Sequence, residues 1–516
     1  MMGVYKKFLN NCMWYLSILC ICIVFLLLFS ISTSPLTSNT FGSDSAFFQV
    51  VGQSMTKGQI MYHDIFDNKG PYLYLIQYCG QMLSYGRGGI FVIQLVNLFV
   101  TLYFVDRTCQ IVCGQKMFRF RFLSIIIFFI LLELTLDCGN LSEEFSLPFL
   151  FICLFIFFRI LSDEGTSLLV ASVIIGISFG VLAFIRITNA EFVCVIVVAL
   201  FFYFILERKF RLRSCLLFIV GFLAGILTAC IPACIYCIYN NIFPEMLYAT
   251  FTFNYFYGTF HAGTIRYDII SVLFVMTFLA VWINRHERGY AFFSLVSLIS
   301  TVSTLLLGHA YLHYYQLIIP PVLANIWLVM RGYDKIRISH KKIYLGLVLS
   351  IMVILNIRTF VYQGLRTIFA LGSNTPGTER TVFGYLAYVI ETEYAPDWSE
   401  SYGYRAAELV YDILERIPDD AYEEVYNYNT KPYWLRVSGL LPYHKYCQTQ
   451  ESFISVSPQI KEEIDAMFEQ NPPQYVVVEN YDDIHNNKIL ERLEEEYCVE
   501  YQNKVYVLFK RQISGS

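Results

Sequence analysis

The sequence predicts an α-helical protein that crosses a membrane many times and carries a small α/β domain at its C-terminal end. Three observations predict it. Of 516 residues, 56% are hydrophobic and only 15% are charged, where a soluble chain carries about a quarter charged. About eleven apolar segments have the length and composition of bilayer crossings. The charge is also divided: from Arg358 onward there are 14 Lys+Arg against 25 Asp+Glu, a balance of −11, while the residues before it balance at +7.

The apolar segments lie near 12–32, 88–106, 122–137, 145–161, 167–185, 190–206, 215–239, 266–283, 290–307, 314–330 and 343–357. Lys6 and Lys7 precede the first one, and its apolar core is long for a signal peptide, so it reads as an uncleaved helix. With the N-terminus in the cytoplasm, the inside segments carry 17 Lys+Arg and the outside loops before the tail carry about five. The positive-inside rule selects that orientation. It makes residues 33–87, the turn 138–144, the loop 240–265 and the whole tail extracytoplasmic, in a multi-pass protein of the cell membrane.

Residues 1–357 therefore form the membrane module, 358–380 a turn-rich linker (Gly372-Ser-Asn-Thr-Pro-Gly377), and 381–516 an external α/β domain. In that domain Gln474–Glu479 reads as a buried strand, Cys498–Lys510 as one or two more, and 402–416 and 458–470 as helices. Most of the 15 cysteines lie in apolar runs, where they behave as small hydrophobes. Cys447 and Cys498 are the two in the polar tail, and pairing between them is left open. No CxxC pair has partners at zinc spacing.

The first external loop is the unusual part. Residues 43–71 hold Asp44, His63, Asp64, Asp67, Lys57 and Lys69 among Phe47, Phe48, Val50, Val51, Met55, Ile60, Met61 and Ile65. Tyr72–Tyr85 is apolar but too short to span, so it reads as an interfacial or re-entrant helix. Ordinary solvated loop charges, with Gly58 and Gly70-Pro71 as turns, are the plain alternative. Charges set at membrane depth more often mark a site facing a cavity.

Asp44, then Gln-Ser-Met-Thr-Lys-Gly58, Tyr62-His-Asp64 and Lys69-Gly-Pro71-Tyr-Leu-Tyr, is similar to the first-loop pattern of GT-C glycosyltransferases. It resembles most the protein O-mannosyltransferase and aminoarabinose transferase group. That resemblance implies a GT-C-like membrane module using a polyprenyl-phosphate sugar donor on the external face and a glycan, lipid or protein acceptor. It implies no nucleic-acid partner. It further implies Asp44 as the base and Lys69 as a contact to the lipid phosphate, with inversion at the anomeric carbon. Ser45 stands where many members carry a second acidic residue. No metal ligand or other cofactor is therefore assigned, and a divalent metal is not favoured.

The chemistry suits a single carboxylate. A phosphate monoester, with a second pKa of ~6, leaves without a general acid; only the acceptor hydroxyl needs a base. Other residues on the same face are candidates. Glu143 and Glu144 are either a solvated turn or site contacts, as are Asp64 and Asp67. Arg186, between two apolar runs with Asn189 and Glu191, is read as a phosphate ligand, against pairing with an acid. His309 and His313 share a helical face but lack a third zinc ligand. Either they are ordinary hydrogen-bonded histidines, or His313 with Tyr314 holds the phosphate or the sugar. The aromatic run from Tyr248 to Tyr257 would line a groove or form an interfacial belt. Competing functions are a transporter or flippase, or a polymerase, of lipid-linked glycans, and a non-enzymatic scaffold. A transporter would set its charges near the midplane, whereas here they gather at one face, apart from Glu133 and Asp137.

Overall fold

The computed structural model describes residues 2–38, 42–114, 118–163, 165–206, 212–260, 267–307, 311–331, 357, 359–373, 381–395, 404–479 and 484–512. The membrane module is built from α1 (Met2–Phe29), α2 (Ser43–Thr56), α3 (Pro71–Leu83), α4 (Gly88–Cys113), α5 (Phe118–Thr135), α6 (Ser142–Leu161), α7 (Leu168–Ile185), α8 (Glu191–Leu206), α9 (Leu212–Tyr239), α10 (Phe243–Leu247), α11 (Asn254–Phe260), α12 (Tyr267–Ile283), α13 (Arg288–Leu307) and α14 (Ile319–Arg331). Seven stretches among the described residues are long and apolar enough to cross a bilayer: α1, α4, α6, α7, α8 with its 3₁₀ entry, α9 and Leu312–Arg331. The protein is thus a multi-pass membrane protein. The segment expected at 343–357 lies almost entirely outside the described residues. The one expected at 122–137 forms α5, which holds Arg119, Arg121 and Glu133 within its 18 residues.

One apolar core joins α1, α4, α5, α6, α7, α8 and α12 to α14. Between spans the approach is close where side chains are small. A Cβ on Gly225 of α9 would stand 2.2 Å from the Val173 carbonyl of α7.

The first loop holds two helices, and the reason its charges are mixed with apolar residues lies in a second core. Phe47, Phe48, Tyr62, Phe66 and Tyr74 pack into the same cluster as Tyr426, Val476 and Leu508 of the C-terminal domain. The loop's apolar side chains are thus buried by protein. Backbone bonds fix the junction: the Phe66 N–H donates to the Lys445 carbonyl at 2.9 Å. Lys57 donates to the Gly439 carbonyl at 3.0 Å, and Arg436 to Gln49 at 3.2 Å.

The C-terminal domain is a four-stranded sheet in the order β1-β2-β4-β3. It comprises β1 (Val425–Tyr428), β2 (Tyr475–Glu479), β3 (Tyr497–Gln502) and β4 (Tyr506–Arg511). The β1–β2 pair is parallel, and the β2–β4 and β3–β4 pairs are antiparallel. Parallel pairing needs a crossover, and three helices supply it: α17 (Tyr433–Ser438), α18 (Gln450–Val456) and α19 (Pro458–Gln470). Earlier come α15 (Val382–Glu393) and α16 (Tyr404–Leu414); α20 (Asn487–Glu496) precedes β3.

Two expectations change, and one open question closes. Residues 359–372, inside the expected linker, are helical, because Phe369 and Ala370 find a buried place with Ile31, Cys138, Ala387 and Ile390. That contact also ties α15 to the membrane module. The expected loop 240–265 is helical from Phe243 to Phe260. Cys447 is buried and Cys498 exposed, and both are free thiols.

Candidate active site

A tight backbone contact joins loop one to the membrane module beside its lysine. The Gly70 N–H donates to the Ile185 carbonyl at 2.9 Å, at the end of α7. A Cβ on Gly70 would stand 2.1 Å from the Phe184 carbonyl, so only glycine permits this approach. Pro71 then opens α3 at its first position, where its missing N–H costs nothing. Lys69 is thereby held near Arg186, the residue that follows α7.

Asp44 sits in the first turn of α2, after Gly42 at φ 91°. That end of a helix favours a carboxylate. The turn from α5 to α6 faces it. Asp137, Cys138, Gly139 and Asn140 all have positive φ, and the turn is held because Asn140 bonds Ser45 at 2.9 Å and Gln77 at 2.7 Å. The segment 312–318 brings His313 and Tyr314 to the same place.

These elements enclose a cavity of about 310 Å³ lined by Asp44, Asp67, Lys69, Arg186, His313 and Tyr314, together with Asn68, Asp137, Tyr257 and Tyr311. Its far wall comes from the C-terminal domain: Gln448, Thr449, Ser452 and Phe453. Lys69 donates to Asn68 at 2.9 Å, and Asn254 of α11 bonds Asn68 through both its amide and its carbonyl oxygen. Asp67 is buried and accepts the Tyr74 hydroxyl. The Arg186 guanidinium donates to Glu143 at 2.9 Å and lies over Tyr314. His313 meets Asp137 at 3.2 Å, and Arg366 donates to the other oxygen of Asp137 at 2.7 Å.

The electrostatics follow. Burial alone would pull the Lys69 ammonium down, but Asp67 and then Asp44 outweigh it and hold its pKa above the ordinary lysine value. Burial likewise opposes the Arg186 charge, and Tyr314 and Glu143 outweigh it. For Asp137 burial is overcome by the His313 hydrogen bond and the Arg366 charge, so its carboxyl stays well below the usual carboxylate range. Burial pushes the Tyr257 phenol up to about 12, keeping it a neutral donor. The cavity can accommodate an anion against its two cations and offers one helix-end carboxylate as a proton acceptor.

Two crystal structures share this architecture end to end. ArnT from Cupriavidus metallidurans bound to undecaprenyl phosphate superposes with a TM-score of 0.58 over 98% of each chain, at 12% identity. The apo state of the same enzyme superposes with a TM-score of 0.56 over 98% of each chain, at 11% identity. The chain has the ArnT fold. No family model matches the sequence, and no curated protein matches it. At these identities the likeness is one of fold.

Within the ArnT fold, the candidates named from sequence divide. Asp44, Asp67, Lys69, Arg186, His313 and Tyr314 line one cavity, although nearly 250 residues separate Asp67 from Tyr314. Three others do not line it. Glu143 is buried behind Arg186 as its ion-pair partner. Glu144 is buried and accepts from Gln94 and from the Asn140 N–H at 2.8 Å, closing the α5–α6 turn. Asp64 accepts the Ile60 N–H at 2.7 Å and pairs with His63, which makes it a loop brace. His309 lies outside the described residues. Among them, no group of three His, Cys, Asp or Glu is arranged to hold a metal ion.

Sequence reasoning missed Asn68, Gln448, Thr449 and Ser452, and it set Asp137 aside as an exception. Asn68 was within reach, since it directly precedes the Lys69-Gly-Pro71 motif. The residues of the C-terminal wall carry no charge and no motif that could have marked them.

Proposed function

We propose that the protein is an integral membrane glycosyltransferase that moves a sugar from a polyprenyl-phosphate donor to an acceptor hydroxyl on the external face. The observation that carries this is the composition of one cavity. A carboxylate at a helix N-terminus, Asp44, shares it with two cations, Lys69 and Arg186. The ArnT fold supports it, because ArnT has been crystallised with undecaprenyl phosphate. The distribution of Lys and Arg in the sequence supports an external site.

In the proposed step the acceptor oxygen forms a bond to the anomeric carbon and its proton passes to the Asp44 carboxylate. The bond from that carbon to the phosphate oxygen breaks, and its electron pair leaves with the phosphate. Attack opposite the leaving group inverts the centre. Lys69 supplies a compact charge to the phosphate and Arg186 a planar fork. Cations already in place where charge grows are the strongest aid an enzyme gives to such a departure.

The test compares membrane lipids, by mass spectrometry, from cells expressing the native chain or Asp44→Asn at matched levels. The expected result is a polyprenyl-phospho-sugar that the native chain consumes and the variant accumulates. Matching lipid profiles would remove Asp44 as the base and overturn the transferase reading.

A further inference from the structure

We propose that the C-terminal domain provides the sugar-recognising half of the cavity, with Gln448 and Ser452 bonding hydroxyls of the donor's sugar and Phe453 packing on its carbon face. This rests on the transferase reading above and deepens it.

The cavity is chemically two-sided. All six of its ionisable Asp, Lys, Arg and His residues come from the membrane module, while Gln448, Thr449, Ser452 and Phe453 are uncharged. One carboxylate does occur in this segment, but it is turned away. Glu451 accepts the Tyr428 hydroxyl at 2.5 Å on the sheet side. A wall of one amide, two hydroxyls and an aromatic ring offers no charge to a phosphate. It suits a neutral ligand rich in hydroxyls and C–H faces, with Tyr257 and Tyr311 as further aromatic edges. In a polyprenyl-phospho-sugar the glycosyl ring is bonded directly to the phosphate. When Lys69 and Arg186 hold the phosphate, the ring projects into the same cavity, within reach of this wall.

The wall is also built to stay in place. Gln450 is fully buried and spends its amide on the Asn427 and Tyr446 carbonyls at 2.8 and 2.9 Å, while its oxygen accepts the Asn429 N–H at 2.8 Å. Phe453 packs against Phe66 of the first loop and Phe253. Immediately before Gln450, Thr449 is held at φ 42°, ψ 40°. A β-branched residue avoids that conformation, and strain of this kind gathers at ligand sites. Pre-positioned polar groups bind with less ordering cost.

The experiment is a competition read by native mass spectrometry. The detergent-purified full chain is offered equimolar undecaprenyl phosphate and the polyprenyl-phospho-sugar extracted from Asp44→Asn cells. The native chain is expected to prefer the sugar-bearing lipid. Gln448→Ala and Ser452→Ala should lower that preference at least fivefold while binding undecaprenyl phosphate within twofold of the native chain, which also shows that they are folded. An unchanged preference overturns the inference, as does a parallel loss of undecaprenyl phosphate. Unchanged preference with slower consumption in cells also overturns it and assigns the wall to the acceptor. If Asp44→Asn cells accumulate no phospho-sugar, the transferase reading falls, and this inference with it.

Discussion

The guanidinium carbon of Arg186 lies 4.1 Å from the centre of the Tyr314 ring. Such stacking fixes the plane of the group, which an ammonium on a flexible stem cannot reproduce. Arg186→Lys keeps the charge and loses the plane. Its undecaprenyl phosphate affinity is expected to fall about tenfold, roughly 1.4 kcal/mol, in the native mass spectrometry titration. Equal affinities would leave charge alone as the contribution of this residue.

The same arginine is the partner of Glu143, whose side chain is 1% exposed. Removing one member of such a pair leaves a buried charge uncompensated and costs about 3–5 kcal/mol. Thermal unfolding in detergent should therefore show Arg186→Leu strongly destabilised. The double variant Arg186→Leu/Glu143→Leu should recover most of the loss. Additive losses would mean that the pair is not coupled.

Gly70→Ala tests the contact that seats loop one. The added methyl meets the Phe184 carbonyl at 2.1 Å, and overpacking of a tight contact costs about 1–3 kcal/mol. A lowered melting temperature is expected, with weaker undecaprenyl phosphate binding because Lys69 adjoins the displaced residue. Gly58→Ala is the comparison, since a Cβ there meets no atom within 4 Å. Its positive φ of 95° brings backbone strain without a steric clash. If both variants bind undecaprenyl phosphate like the native chain, loop one does not depend on this seat.

His444 gives the C-terminal domain a dependence on pH. Burial, and then Lys445, lower its pKa to about 4, against Glu463, which raises it. Its Nδ1 accepts the Tyr446 N–H at 3.4 Å, a role for neutral imidazole. The folded pKa is below the unfolded one, so between about pH 6.5 and pH 4 the unfolded chain binds the extra proton. Stability therefore falls as pH falls through that window, by up to about 3 kcal/mol. Melting at pH 7 and pH 5 should show a larger drop for the native chain than for His444→Gln. Equal drops would exclude His444 as the cause.

What the sequence revealed of the site follows from distance along the chain. Asp44 and Lys69 belong to one short loop whose motif is local, and Arg186 stood out as the lone cation between two apolar runs. Glu143 was ambiguous because its role is decided by a partner 43 residues away. Asp137 was harder still, since its meaning depends on His313, 176 residues on, and on Arg366, 229 on. Asp64 drew attention by its charge, yet a backbone N–H four residues earlier satisfies it. In the fold, seven of the spans and the last strands were legible as apolar runs. Strand β1, Val-Tyr-Asn-Tyr, was not, because four residues carry too little pattern. The apolar side chains of loop one from Phe47 to Tyr74 share a core with a domain that arrives more than 350 residues later, while Met82, Leu83 and Tyr85 stay exposed.

The left-handed turn from Asp137 to Asn140 works as an index mark. Both of its ends are tied, to His313 and Arg366 at one end and to Ser45 and Gln77 at the other, so α6 begins at a fixed phase. One residue inserted after Asn140 would rotate the helix by about 100°. Ser142 would then occupy the place of Glu143, and Arg186 would face a hydroxyl. Chain length in this turn is therefore as much a part of the site's specification as any side chain, and homologous chains that keep the arginine pair should keep the turn without gaps.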